Sequence, residues 1–138
     1  MAMEDVDIAI STTPSKKYFV DQSFVKLGMH IIAVGADMEG KNEWDPNIFA
    51  HAKIVNDSIA QCTSRGETRN AIVTGVIQQG DIYADIGQLL AGEKPLRESD
   101  DEITIFDTTG MGIQDNMTAV MVYEAAKKKG LGKYFEFI

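Results

Sequence analysis

Cysteine and histidine are scarce in this sequence, and their scarcity argues against two kinds of site. The single cysteine, Cys62, cannot form a disulfide within the chain, and a cytosolic location is expected. The two histidines, His30 and His51, have no second histidine, cysteine or cluster of acids at ligand spacing, so no metal site is predicted.

Basic residues are also few. The chain has 13 lysines and arginines against 21 acids, which gives a formal net charge of −8. This balance argues against nucleic acid and against anionic membrane as partners, because both are bound through clustered lysine and arginine. No apolar run approaches the roughly 20 residues that a membrane span needs. The acidic start, MAMEDVD, does not resemble a signal peptide.

The length of 138 residues is typical of one domain, and residues 1–138 are expected to form a single unit with its own core. Strand-like and helix-like segments alternate along the chain, which favours an α/β fold with a parallel sheet. Strands are predicted over Val6–Ser11, Met29–Gly35, Lys53–Asn56 and Ile103–Phe106. Helices are predicted over Asn47–Ala52, Ile59–Arg65, Glu67–Gln78 and Ile82–Leu90, with a last helix from about Ile113.

The last helix carries apolar residues at helical spacing, and this stripe is predicted to lie in the core. The stripe consists of Ile113, Met117, Val120 and Met121. The tail that follows is apolar and aromatic for a chain terminus, and its residues Tyr134, Phe135 and Phe137 are expected to pack on another surface, such as a second subunit.

The segment Ile31–Lys41 (IIAVGADMEGK) organises the candidate site. Its first five residues run without alternation, which predicts a strand buried on both faces. Ligands of open α/β sheets bind beyond the carboxyl ends of the strands, where Asp37 and Lys41 follow. A carboxylate and an ammonium at this position could transfer a proton or anchor a phosphate. The alternative is an ordinary loop with one solvated acid and one solvated lysine.

Hydroxyl residues follow two other predicted strands. Thr13 comes after the first strand and Thr108 after the Ile103–Phe106 strand. The carboxyl ends of parallel strands meet at one sheet edge, so both residues join Asp37 and Lys41 as candidate site residues. For Thr13 the alternative is a side chain that only closes a turn on its own backbone.

Three blocks of the sequence resemble the ornithine cyclodeaminase/mu-crystallin family. They are GADMEGKNEWDP (Gly35–Pro46), DIYADIGQLLAGEKPLRESDDEITIFDTTGMGIQD (Asp81–Asp115) and KKKGLGK (Lys127–Lys133). The resemblance implies a Rossmann-type NAD(P) domain, a small amino or imino acid as substrate, and a homodimer. The implied activities are ornithine cyclodeamination, alanine dehydrogenation and ketimine reduction; mu-crystallin also binds thyroid hormone.

The resemblance also assigns roles to individual residues. It implies that Asp37 relays the catalytic proton, and that Thr109 lies near the substrate. The positions expected to contact NAD or NADP are Thr13, Val34, Gly35, Ala36, Asp37, Lys41 and Thr108.

The chain departs from the family pattern in what it does not contain. The glycine fingerprint GxGxxG, the substrate-binding arginine and lysine, and an N-terminal domain lie upstream of the matching region in the family, and none is found in these 138 residues. We therefore expect the second half of a Rossmann-type domain (about residues 1–112) with a returning C-terminal helix and tail (about 113–138). Such a chain is expected to be incomplete alone and to need a complementary N-terminal half or a homodimer. It could derive from a truncated gene, a split protein or an expressed fragment.

Two alternatives to an enzyme part remain open. A half sheet has an unpaired edge, so the chain could be a non-catalytic α/β module that self-associates. It could also bind a small ligand without turnover. The sequence does not distinguish NAD from NADP, since the acid that would contact the ribose lies outside the matching region.

Overall fold

The computed structural model describes Met3 and residues 5–136, and within them the chain forms a five-stranded sheet in which all neighbouring strands are parallel. The strands are β1 (Ile8–Ser11), β2 (His30–Ala33), β3 (Ala52–Asn56), β4 (Ala84–Asp85) and β5 (Ile103–Asp107). Their order across the sheet is β1-β2-β5-β3-β4, which leaves β1 at one edge. The predicted parallel α/β fold is confirmed.

The register of the sheet brings the strand ends into one row. Ser11 pairs with Ala33, Ala33 pairs with Asp107, and Asp107 pairs with Asn56, which in turn pairs with Asp85. The loops that leave these five residues therefore start side by side, at the edge where open α/β sheets bind their ligands.

The helices are mostly short. They are α1 (Ile59–Cys62), α2 (Glu67–Val73), α3 (Ile86–Leu90) and α4 (Gly112–Lys128), with 3₁₀ turns at Gln22–Phe24, Pro46–His51 and Gln79–Asp81. Asp45 caps the Pro46 turn by accepting a hydrogen bond from Asn47 N, as the Asp-Pro pair predicts. None of the described helices is both long enough and apolar enough to cross a membrane.

The core lies on one face of the sheet. Ile31, Ile54 and Ile105 point from three neighbouring strands into a buried cluster that includes Trp44 and Phe49. These large side chains are almost fully buried, so hydrophobic burial on this face fixes β3 against the Pro46–His51 turn, which in turn packs on α2.

The opposite face of the sheet is open, and the prediction that β2 is buried on both faces is wrong. Ile8 and Ile10 of β1 are 60% and 63% exposed, and Ile32 of β2 is only half-buried. Within the described residues this face forms a shallow groove of about 550 Å³ whose lining includes Val55 and Phe106. The apolar run of β2 gives the strand two apolar faces. Within the described residues one of these faces is covered by the core and the other is open.

The predicted helix Asn47–Ala52 is the 3₁₀ turn Pro46–His51 in the structure, and three other predicted helices are shorter than expected. The segment Ile82–Leu90 begins as strand β4, because Ala84 and Asp85 pair with β3, and only its second half is helical. The helix predicted to reach Arg65 ends at Cys62, where the Thr63 hydroxyl bonds back to Ile59 O. The helix predicted to reach Gln78 ends at Val73, shortly before Gly75 adopts a left-handed backbone.

The apolar stripe of α4 is exposed, so the prediction that it lies in the core is wrong. Ile113, Met117 and Met121 are 65%, 57% and 69% exposed, and Val120 is 48% exposed. Helical spacing identifies an apolar face but not its neighbour, and nothing in residues 5–136 buries this one. In the tail, Tyr134 and Phe135 are exposed, whereas Phe137 lies outside the described residues.

Candidate functional site

The loop after β2 places a carboxylate and an ammonium group in direct contact at the open sheet edge. Lys41 Nζ lies 2.5 Å from Asp37 Oδ1, and the Asp37 side chain remains 49% exposed. The hydrogen bond from Lys41 is the main reason why the pKa of Asp37 is below its usual value, although partial burial opposes it. The site therefore presents an ionised carboxylate to the solvent.

The neighbouring residues of this loop differ in what they can offer a ligand. Val34 is 37% exposed and could pack against an apolar group, whereas Ala36 is 1% exposed and could contact a ligand only through its backbone. The amide of Gly35 donates to the side chain of Glu43 at 2.9 Å. Of these three predicted contacts, Val34 is the one with an accessible side chain.

Thr13 lies on the adjoining loop, after β1. Its side chain is exposed, and its Oγ1 accepts a long hydrogen bond of 3.3 Å from Ser15 N. This hydrogen bond is the turn closure that was given above as the alternative to ligand contact for Thr13. The hydroxyl proton of Thr13 is not engaged by it, so the residue could both close the turn and contact a ligand.

The Asp107–Gly110 segment is held by Asp57 at the end of β3. Asp57 Oδ2 accepts from Thr108 Oγ1 at 2.6 Å, from Thr109 N at 3.1 Å and from Gly110 N at 2.9 Å. The hydroxyl of Thr109 donates to Gln61 Oε1 at 3.2 Å. Both threonine hydroxyls therefore use their proton within the protein and offer a lone pair to a ligand that donates.

A buried glutamate joins the β1 and β2 loops. Glu43 is 0% exposed, and its carboxylate accepts from Ser11 Oγ at 2.7 Å, from Thr13 N at 2.5 Å and from Gly35 N at 2.9 Å. Ser11 Oγ in turn accepts from Trp44 Nε1 at 2.6 Å. These contacts connect two of the predicted cofactor loops through one side chain.

Two further buried acids lie behind this loop. Burial raises the pKa of Glu67 to about 8 and that of Asp107 to about 6. Glu67 Oε1 accepts from Glu43 N at 2.5 Å, and Asp107 Oδ2 accepts from Thr68 N at 2.8 Å at the start of α2. The other carboxyl oxygen of Asp107, Oδ1, is buried without a hydrogen-bond partner in the described structure.

Glu43, Glu67 and Asp57 also belong to this edge, although the sequence did not identify them as site residues. Local sequence did not distinguish buried Glu43 from Glu39, which lies four residues earlier, is exposed and pairs with Arg69. Position was a usable signal for two of them, since Asp57 directly follows β3 and Glu67 is the first residue of α2, whereas Glu43 lies in the loop between β2 and the Pro46–His51 turn. Which of these acids is buried depends on tertiary contacts.

The histidines take no part in this edge. His30 Nδ1 lies 2.7 Å from Thr104 Oγ1, and burial is the main reason why the pKa of His30 is lowered, with nearby Arg97 adding to it. His51 is exposed. Within residues 5–136, no group of three histidines, cysteines or acids is placed to hold a metal ion.

Residues 1–130 match the sequence profile of the ornithine cyclodeaminase/mu-crystallin family. The chain belongs to this family. The family assignment made from the three sequence blocks is thereby confirmed, and the parallel sheet is part of the Rossmann-type fold of NAD-binding members.

Curated members of the family show how much of a complete relative the chain represents. It is 47% identical over 131 residues to alanine dehydrogenase of Archaeoglobus fulgidus, which covers 95% of this chain and 41% of the relative. It is 41% identical over 132 residues to iminosuccinate reductase of Paracoccus denitrificans, in an alignment that covers 96% of this chain and 41% of that relative. The chain thus spans about two fifths of the length of these relatives.

Solved structures of the family share the fold. An archaeal alanine dehydrogenase dimer with bound NAD superposes with a TM-score of 0.86 at 47% identity, over 96% of this chain and 41% of that one. The Δ1-pyrroline-2-carboxylate reductase of Thermococcus litoralis, in complex with NADH and L-proline, superposes with a TM-score of 0.87 at 31% identity. The superposition covers 97% of this chain and 42% of that one.

The described residues offer part of what NAD requires for binding. Val34 offers an exposed apolar surface for a ring, and Thr108 Oγ1 offers an acceptor for an amide. The backbone amides of Thr13 and Gly35, which could have bound a phosphate, instead donate to Glu43. These loops therefore offer contacts for a ring and an amide of NAD, whereas the amides of Thr13 and Gly35 are not free to bind its pyrophosphate.

Proposed function

We propose that this chain forms part of an NAD(P)-dependent enzyme that acts on a small amino or imino acid, as a dehydrogenase, ketimine reductase or cyclodeaminase. The observation that carries the proposal is the Asp37–Lys41 pair, with its half-exposed carboxylate, at the common edge of the parallel strands. The named relatives, which act on alanine, iminosuccinate and pyrroline-2-carboxylate, support the substrate class.

Asp37 is the proposed proton-transfer residue. Its pKa is held low by the hydrogen bond from Lys41, so at neutral pH it is an ionised base with one oxygen tied to an ammonium. NAD, when bound, supplies the group that accepts or donates the hydride. The role of Asp37 is to take a proton from the substrate side, or to return it, while Lys41 orients the carboxylate.

The remaining site residues complete the proposal in supporting roles. Val34, Gly35, Ala36 and Thr13 line the cofactor side, and Thr108 presents an acceptor to it. Thr109 lies next in the chain and is proposed to contact the substrate. A complementary N-terminal half or a second copy of the chain is proposed to supply the phosphate-binding and substrate-binding groups, and a cytosolic location remains a prediction.

Titration of NADH into the purified chain, followed by cofactor fluorescence, tests the proposal. Saturable binding at roughly micromolar NADH would support it, since a partly formed site retains a measurable fraction of the binding energy. Lys41→Gln is expected to weaken binding, whereas Lys128→Gln, on exposed α4, serves as the matched control and is expected to have no effect. Absence of binding at roughly millimolar NADH would contradict a cofactor site in this chain alone.

A second candidate function is self-association without catalysis. It is favoured by the uncovered sheet face with Ile8 and Ile10, by the unpaired edge of β1, and by the exposed stripe of α4. The dimeric state of the archaeal alanine dehydrogenase points in the same direction.

Sedimentation at increasing protein concentration tests this second candidate. A dimer that is weakened by Met121→Glu and unaffected by Lys128→Gln would support pairing through α4, because a charge in a buried contact is costly. A monomer at all concentrations would contradict self-association. A chain that dimerises but does not bind NADH would favour this candidate over an enzyme part.

A further inference from the structure

We infer that Glu43 is a positioning residue of the proposed cofactor edge, holding the β1 and β2 loops in the geometry that presents Thr13 and Asp37 to a ligand. The inference rests on the proposed function and extends it to a residue outside the predicted site. Glu43 is fully buried, so its carboxylate acts through other groups and does not touch a ligand itself.

The side chain of Glu43 spans the gap between two strands. Oε1 accepts from Thr13 N, beyond the end of β1, and Oε2 accepts from Gly35 N, beyond the end of β2. Oε2 also accepts from the Ser11 hydroxyl at 2.7 Å. Three donors from two loops therefore converge on one carboxylate, and Gly35 lies two residues before Asp37.

The backbone of Glu43 is fixed from two other directions. Its carbonyl oxygen accepts from Phe19 N at 3.0 Å and from Val20 N at 3.2 Å. Its amide donates to Glu67 Oε1 at 2.5 Å, from the first turn of α2. The carboxylate is thus anchored to the core, and the loops that it binds take their position from that anchor.

The three contacts require a carboxylate, because each partner donates. A glutamine at position 43 would offer one carbonyl oxygen and one NH₂ group, and the NH₂ group would face at least one donor. The expected consequence is loss of one or two of the hydrogen bonds to Ser11, Thr13 and Gly35, with little change in side-chain volume. Glu43→Gln therefore separates the positioning of the loops from the filling of the core.

Amide hydrogen exchange measured by NMR, together with NADH titration, tests the inference on the whole 138-residue chain. In Glu43→Gln, exchange at Thr13 and Gly35 is expected to rise about tenfold or more, the equivalent of one lost charge-assisted hydrogen bond, while exchange at the core amides of Ile54 and Ile105 stays unchanged. In the same variant, the dissociation constant for NADH is expected to rise about tenfold.

Three further variants keep the test decisive. Asp45→Asn is the matched control, since Asp45 is also a buried acid, but within the described residues its side chain accepts hydrogen bonds only from Asn47 N and Nδ2. It is expected to lower stability without affecting exchange at Gly35 or the affinity for NADH.

If Glu43→Gln does not fold, Ser11→Ala removes one donor to the same carboxylate and is expected to raise exchange at Thr13 and Gly35 in the same direction. Glu43→Asp, with its shorter reach, is expected to give an intermediate effect.

The outcomes separate this inference from the proposed function. Faster exchange confined to the two loops, with weaker NADH binding, would support both. Uniformly faster exchange with unchanged affinity among folded molecules would show that Glu43 only stabilises the fold, and would overturn the inference. If the unmodified chain binds no NADH while exchange changes only in the loops, loop positioning by Glu43 stands and the cofactor role of this edge fails.

Discussion

The backbone of Gly35 lies directly against the carboxylate of Glu43. A Cβ at position 35 would be 2.5 Å from Glu43 Cδ, and it would also clash with the carbonyl oxygen of Thr13. Since the neighbours are backbone and a buried, anchored side chain, neither can move aside easily. The glycine of the Gly-Ala-Asp segment is therefore required by packing inside the protein.

We expect Gly35→Ala to lower the free energy of unfolding by about 1–3 kcal/mol, because overpacking displaces buried groups. Urea denaturation followed by the fluorescence of Trp44, the single tryptophan, measures the change. Gly87→Ala is the control, since Gly87 lies in α3 with nothing within 4 Å of a built Cβ, and alanine there is expected to be neutral or slightly stabilising. Equal stability of the two variants would contradict this packing.

Replacement of Asp37 by asparagine tests the proposed proton transfer. In the active enzyme that contains this chain, we expect turnover to fall by about 10²–10⁴-fold, because the amide cannot accept the proton, while the affinity for NADH changes little. Steady-state oxidation of NADH with an imino-acid substrate measures it. Glu39→Gln removes an acid from the same loop that pairs with Arg69, and should leave turnover intact. A mild effect of Asp37→Asn would exclude the role proposed for it.

Stability is expected to fall as the pH rises through the neutral range. The pKa of Glu67 is about 8 in the folded chain against 4.5 for a free side chain, so the folded state holds a proton that the unfolded state has lost between these values. Stability from this group is complete below about pH 4.5 and decreases by up to about 1.4 kcal/mol per pH unit until about pH 8. Asp107, whose pKa is raised to about 6, contributes a further decrease in stability with rising pH, at lower pH than Glu67.

Glu67→Gln isolates this effect. Glutamine keeps an acceptor for Glu43 N and carries no charge, so the variant is expected to show a flatter dependence of unfolding free energy on pH between about pH 5 and 8. Glu102→Gln is the control, because the hydrogen bond from Lys53 lowers the pKa of Glu102, which is therefore ionised throughout that range. Parallel stability curves for the unmodified chain and Glu67→Gln would show that Glu67 is charged when folded.

Cys62 is expected to resist alkylation in the folded chain. Its side chain is 0% exposed, and burial, reinforced by the nearby Asp107, raises the pKa of its thiol well above the usual range. We expect modification by iodoacetamide near pH 8 to be at least about a hundredfold slower in the native chain than in denaturant, as it requires opening of the structure. Mass spectrometry measures the rate. Ser99→Cys, at an exposed position, should gain one rapidly labelled thiol, and rapid native labelling of Cys62 would contradict its burial.

The sequence by itself determined the class of fold and the position of its loops. Apolar runs such as Ile31–Gly35 and Ile103–Phe106 predict strands because burial on a sheet requires them, and Asp45-Pro46 predicts a helical turn because its cap is local. The same local chemistry placed Asp37 and Lys41 beyond a strand end, where the structure shows them in contact.

Only the tertiary structure decided which surfaces are buried. The stripe on α4 and the outer side chains of β1 have the pattern of a core, yet they are exposed here, because burial depends on a neighbour that spacing does not specify. Strand β4 exists because its two residues pair with β3, against a helical pattern in the segment. The role of Glu43 likewise arises from Thr13 and Gly35, which lie 30 and 8 residues away along the chain and meet it only after the sheet has formed.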